Sequence, residues 1–246
     1  MSLYRLATQR PALAALVCAG VQFLLTVLIL KAGIAFAPPA MFGKVKLVAF
    51  ASTIIYPLVL AHLFGLWSKL GLELGKIKPA PFFLASLLSG AVFVSMGFHP
   101  NEPGSVGSIL LIQFANAFGE ELLFRGVIFS LLLALPMWQA ILINGILFGS
   151  MHLIHGFMDA SWTSALNHAI LTIPAGMMFV AVRYRTGSLW LAVMLHMILN
   201  LCIIFSNVEP AAGPTVYFVV QRLANVLELG LTAYAVLKGS QRAALA

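Results

Sequence analysis

The sequence predicts an all-α polytopic membrane protein of about eight transmembrane helices, and three observations carry that prediction. Hydrophobic residues make up 61% of the 246 residues and charged residues 9%, against roughly half and a quarter in a soluble domain. Apolar stretches of about 18 residues or more recur along the whole length, each able to cross a hydrocarbon core. The basic residues stand between these stretches and favour one set of loops over the other, as a membrane topology requires.

Apolar runs bounded by charged, Pro or Gly residues fall at approximately 12–30, 47–67, 80–98, 105–135, 137–155, 162–182, 188–206 and 214–237. The first follows Arg5 and Arg10 and could pass for a signal peptide, with Ala35-Phe36-Ala37 resembling a cleavage site. Its apolar run is too long for a typical signal and Lys31 follows directly, so it reads as an uncleaved span. The fourth, of about 31 residues, would make a helix of about 46 Å against a core of roughly 30 Å. It must tilt, kink or protrude. No repeat, low-complexity stretch or dividing linker interrupts the chain, so residues 1–246 read as one transmembrane domain. Cys18 and Cys202 lie inside apolar runs and suggest neither a disulfide framework nor a Cys-rich zinc site.

Charge parity tests the count. With eight spans, the side holding both termini collects Arg5, Arg10, Lys69, Lys76, Lys78, Arg183, Arg185, Lys238 and Arg242, with Glu73 its only acid. The other side holds Lys31, Lys44 and Lys46 against Glu102, Asp159 and Glu209. Positive loops face the cytoplasm, so both termini are expected there. The net balance of 14 Lys+Arg against 7 Asp+Glu is accounted for by this topology and by anionic lipid headgroups, not by nucleic acid.

Charged groups inside spans cost at least ~2.5–3.5 kcal/mol each and mark sites. The fourth segment contains Glu120, Glu121 and Arg125, the fifth Phe148 and His152, and the seventh His196 and Asn200. Glu121 and Arg125, four residues apart, share a helix face and can pair. Glu120 points about 100° away. Asn116 lies one turn before it. Phe148 with His152, and His196 with Asn200, also share faces. Segments 4 and 5 form a hairpin at Leu135-Pro136, with Glu120 and His152 at similar distances from the turn, so the two should lie at one depth. His196 would be shallower by about 10 Å unless the hairpin protrudes.

Each group alone has an ordinary explanation. Glu121–Arg125 could be a neutralising pair, and His152, or His196 with Asn200, interhelical hydrogen bonding. His155 and Asp159 sit at a membrane edge, His62 and His99 read as interfacial, and Asn167 and His168 as packing or accessory ligands. Arg222 and Glu228 in the last segment are not i,i+4 partners and have no functional account. Two carboxylates, an Arg, two His and an Asn in three spans are harder to attribute to packing alone.

The ordered motifs Glu120-Glu121-x-x-x-Arg125, Phe148-x-x-x-His152 and His196-x-x-x-Asn200, each in its own hydrophobic segment, resemble the CAAX-protease and bacteriocin-processing (CPBP, or Abi) family, which includes the Ras-converting CAAX endopeptidase. The resemblance covers approximately residues 105–205. It implies eight helices enclosing an intramembrane catalytic cavity, and hydrolysis of a peptide bond. It further implies Glu120 as general base, His152 as the group that helps position the attacking water, His196 and Asn200 as oxyanion donors, and Glu121 with Arg125 as a supporting pair. Amide hydrolysis needs such an activated water, oxyanion donors and a proton for the leaving amine.

The family is often called metalloprotease, and Glu120, His152 and His196 could furnish three ligands to a divalent metal such as zinc with one open position. No HExxH is present and the three come from different helices, and the mechanism that the resemblance implies is glutamate-plus-histidine chemistry without metal. The expected partners are membrane lipids and a peptide or protein substrate, itself membrane-associated or lipidated. The expected setting is a bacterial or archaeal plasma membrane. Two other readings are open: a non-catalytic scaffold or bacteriocin-immunity protein of the same family, and a carrier using its buried carboxylates. The lack of paired Gly/Pro-broken segments in matching halves disfavours the carrier.

Overall fold

The computed structural model describes residues 3–74, 80–99, 106–158 and 161–239, and the named elements among them are all helical. Lys76, Lys78, Glu102, Asp159 and Arg242, which enter the charge comparison, lie outside the described residues. In chain order the helices are α1 (Leu3–Gln9), α2 (Pro11–Phe36), α3 (Phe42–Phe64), α4 (Pro81–Ser86), α5 (Leu88–Ala91) and α6 (Val106–Glu121). A π-helix (Leu122–Ile128) leads directly into α7 (Phe129–Leu132). Then come α8 (Met137–Met151), α9 (Ile154–Phe157), α10 (Trp162–Thr186), α11 (Leu189–Ile204), α12 (Val208–Ala212) and α13 (Pro214–Lys238).

All eight expected segments are therefore helical, but they are not equal. Pro11–Phe36, Pro39–Phe64, Val106–Leu132, Met137–Phe157 and Trp162–Thr186 are long and apolar enough to cross a membrane. Pro81–Val94 and Leu189–Ile204 are apolar but shorter, about 21 and 24 Å at 1.5 Å per residue. The third segment is broken into α4, α5 and a 3-10 turn at Val92–Val94. α13 has the length, at 25 residues, but carries Arg222, Glu228 and Lys238.

The helices start where the chain chemistry allows. Pro11, Pro81 and Pro214 occupy first turns, where the missing N–H has no helical partner to lose. On α2, Leu16, Leu24 and Leu28 are 55%, 59% and 65% exposed. A row of outward leucines on a 26-residue helix suits lipid rather than water. The inward face carries Gln22, whose Nε2 donates to Thr26 Oγ1 at 2.9 Å and to Ser52 Oγ of α3 at 3.2 Å. Such bonds hold helices together where lipid gives no hydrophobic drive.

The chain forms two compact units, one of Met1–Leu70 with Phe118–Gly176 and the other of Gly71–Ala117 with Met177–Ala246. In the first, α2 packs on α3, α7 and α8, and α3 packs on the π-helix. The stretch from Glu121 to Leu132 is buried at every residue and forms the middle of that unit. The short turn between α7 and α8 makes the expected hairpin. In the second unit α5 packs on α11 and α13. There Gly71 takes φ 75°, and a Cβ on it would stand 2.5 Å from Cζ of Arg183. Its carbonyl accepts the Leu189 N–H at 2.9 Å, and the Leu72 carbonyl accepts Trp190 Nε1 at 2.9 Å, which ties this loop to the start of α11.

Candidate active site

The chain reaches the first motif at the end of α6 and turns at once into the π-helix. There the hydrogen bonds run to the fifth residue on, as when the Phe129 N–H donates to the Phe124 carbonyl. The same carbonyl accepts Nδ2 of Asn144 from α8 at 2.7 Å. Widened turns of this kind recur at functional sites.

Glu121 and Arg125 are both fully buried and form an ion pair, Nη1 to Oε1, at 3.0 Å. Arg125 Nη2 donates to the Gly176 carbonyl of α10 at 2.7 Å. Its guanidinium also lies over the Phe148 ring, 4.2 Å from the centroid. Phe124 meets Phe148 edge to face at 5.2 Å. Removing this arginine's charge from water is costly, and the fork geometry, the carbonyl and the aromatic face offset that cost together. Gly176 is what lets α10 come so close, since a Cβ there would stand 2.8 Å from Cδ1 of Phe148.

Glu120 has a different setting. It is half-buried, whereas Glu121 is wholly enclosed. Arg125 acts electrostatically on both carboxylates, and its Nη1 donates to Glu121 Oε1.

α8 ends at Met151, one residue before His152, which is half-buried in the turn that follows. Its Nδ1 engages the Phe148 carbonyl at 3.3 Å, and its ring stands edge-on to Phe148 at 5.5 Å. A carbonyl partner requires the proton on Nδ1, which in a neutral imidazole leaves Nε2 as the acceptor nitrogen. Phe148 thus touches both Arg125 and His152, a role beyond the shared helix face expected of it. His168 of α10 and His155 of α9 lie beside His152, with centroids 4.6 Å and 6.3 Å away, and stack on each other at 5.1 Å. His155 is exposed, as its edge position predicts, and His168 makes a packing contact.

His196 and Asn200 belong to the second unit. His196, on α11, is buried and stacks on Phe179 with centroids 4.9 Å apart. Asn200, one turn later and half-buried, donates through Nδ2 to Oε1 of Gln113 on α6 at 3.1 Å. Glu120, Glu121, Arg125, Phe148 and His152 thus gather in one unit, and His196 with Asn200 in the other.

Sequence reading overlooked three residues. Asn144 sits one turn before Phe148 and two before His152, so a polar group on that face could have been noticed. Gln113 is likewise a polar residue in an apolar run. Gly176 carried no signal.

The proposed metal donors were Glu120, His152 and His196. Among the described residues no three His, Cys, Asp or Glu side chains are grouped so as to hold a metal ion. Glu120 and His152 lie in one unit and His196 in the other.

No curated protein matches the chain. Residues 102–202 match the family model described as type II CAAX prenyl endopeptidase Rce1-like, a stretch that holds all three motifs in order. Over residues 102–202 the chain is thus similar to the CAAX endopeptidase family that its three motifs resemble.

Proposed function

We propose that this protein is an intramembrane endopeptidase that hydrolyses a peptide bond with a water activated by Glu120 and His152. One observation supports the division of labour most directly: of two adjacent carboxylates, Glu121 is enclosed and ion-paired with Arg125, while Glu120 is half-buried. Glu120 is the one suited to exchange protons with a water. It takes a proton from the water as the oxygen attacks the scissile carbonyl carbon, and the carbonyl oxygen becomes an oxyanion. His152, with its proton held on Nδ1 by the Phe148 carbonyl, accepts a hydrogen bond from the water through Nε2 and orients it. The resemblance to the family assigns His196 and Asn200 as donors to the oxyanion. Glu120 then returns its proton to the leaving nitrogen as the carbon–nitrogen bond breaks. No step calls on a metal.

The substrate proposed is a peptide or protein segment delivered at the membrane, and the name of the matching family points to prenylated carboxyl termini. A farnesylated peptide ending in a CAAX sequence and its unlipidated counterpart, each incubated with detergent-purified protein, test this by mass spectrometry. The expected result is cleavage by the wild type and a loss of at least about 100-fold in kcat for Glu120→Ala and for His152→Ala. Undiminished cleavage by both variants would sink the site. Absence of cleavage, with alanine variants that still act in cells, would favour a scaffold or immunity protein.

A further inference from the structure

The second unit contains a contact that the family's motifs do not include. Asn200 Nδ2 donates to Gln113 Oε1 at 3.1 Å, both side chains are half-buried, and each stands on a mainly apolar helix. A carboxamide inside a membrane span is expensive unless paired, so the pair satisfies one N–H and one C=O at once. We propose that Gln113 is a positioning residue for Asn200, holding its carboxamide so that the amino group, not the carbonyl oxygen, is fixed in direction. The inference rests on the endopeptidase reading for its consequence in catalysis.

The physical reason lies in the chemistry of the group. An asparagine amide carries two N–H donors and one carbonyl acceptor at the ends of a plane that turns about a soft torsion. An oxyanion donor must present N–H. A half-turn presents a carbonyl dipole of the wrong sign instead. Gln113 engages one N–H, which restrains the plane and leaves the second N–H available in a defined direction. Preorganised donors act because they require no reorientation as charge develops. His196 on the preceding turn is held differently, by stacking on Phe179, so the two expected donors have separate supports.

Gln113→Leu removes the acceptor at similar volume, and two measurements read the result. The first needs no activity. In protein labelled with 15N-asparagine, the side-chain amide of Asn200 is identified by its disappearance in Asn200→Ala. In Gln113→Leu its two N–H resonances are expected to shift and their solvent exchange to rise at least about threefold. Unchanged resonances and exchange overturn the proposal. The second uses the farnesylated CAAX peptide. In Gln113→Leu, kcat is expected to fall about tenfold with KM within about twofold, and the same change in an Asn200→Ala background is expected to cost nothing further. An equal loss in both backgrounds overturns the positioning role. A wild type that cleaves no peptide counts against the endopeptidase reading, and the amide spectrum then decides the contact by itself.

Discussion

Arg125 meets a carboxylate, a backbone carbonyl and an aromatic face at once, all within the enclosed part of one unit. Lysine could supply the charge but not the planar fork that reaches Glu121 and Gly176 together. Arg125→Met should therefore act mainly through what it leaves behind, a buried Glu121 with its ion-pair partner removed. The expected destabilisation is about 3–5 kcal/mol, read as a lower melting temperature in detergent. Glu121→Gln combined with Arg125→Met should recover part of that loss, because it removes both charges. A double variant no more stable than Arg125→Met would contradict the account. The ion pair itself was legible from the four-residue spacing. The Phe148 platform and the Gly176 carbonyl were not, because neither an aromatic residue nor a glycine announces its partner on another helix.

The π-helix is the element that brings Glu121 and Arg125 into one buried turn, and α8 and α10 hold it in place. α8 contributes Asn144 to the Phe124 carbonyl, and α10 contributes Gly176 beneath Phe148. Gly176→Ala inserts a methyl group 2.8 Å from Cδ1 of Phe148, so the ring or α10 must shift. The expected cost is about 1–3 kcal/mol of stability, with peptidase activity reduced by at least about tenfold as Arg125 and His152 lose their shared contact. Normal melting and normal activity would show that the packing yields more easily. At this scale the sequence marked where the helices lie, since continuous apolar runs leave few alternatives in lipid. It did not reveal the π turn in the fourth segment, whose excess length was legible but whose hydrogen-bond register depends on neighbours such as Asn144. Nor did it show that the third segment breaks into short pieces.

For the whole molecule the testable quantity is topology. Charge parity predicts the loop around Ser68 on the cytoplasmic side and the loop around Ala40 on the other. Both positions are exposed. With Cys18 and Cys202 replaced by alanine, Ser68→Cys should react with an impermeant maleimide in inside-out vesicles, and Ala40→Cys in right-side-out vesicles. Labelling of both from one side would overturn the parity argument. Among the described residues, five helices have the length and apolarity to cross by themselves. The three remaining segments need their neighbours, because two are shorter than the hydrocarbon core and the last carries charge.

The sequence by itself determined the membrane class, the position of the helices and the residue types of the candidate site. Hydrophobicity and fixed spacing along a helix are local properties that need no fold to be read. It also pointed to the family, since three motifs in order survive in the linear chain. Tertiary structure decided which of two neighbouring glutamates is enclosed with arginine and which stays half-buried. It also decided which glycine admits the aromatic platform and which glutamine holds Asn200. Those outcomes depend on side chains brought together from segments 20 to about 90 residues apart, and distance of that kind leaves no periodic trace in a sequence.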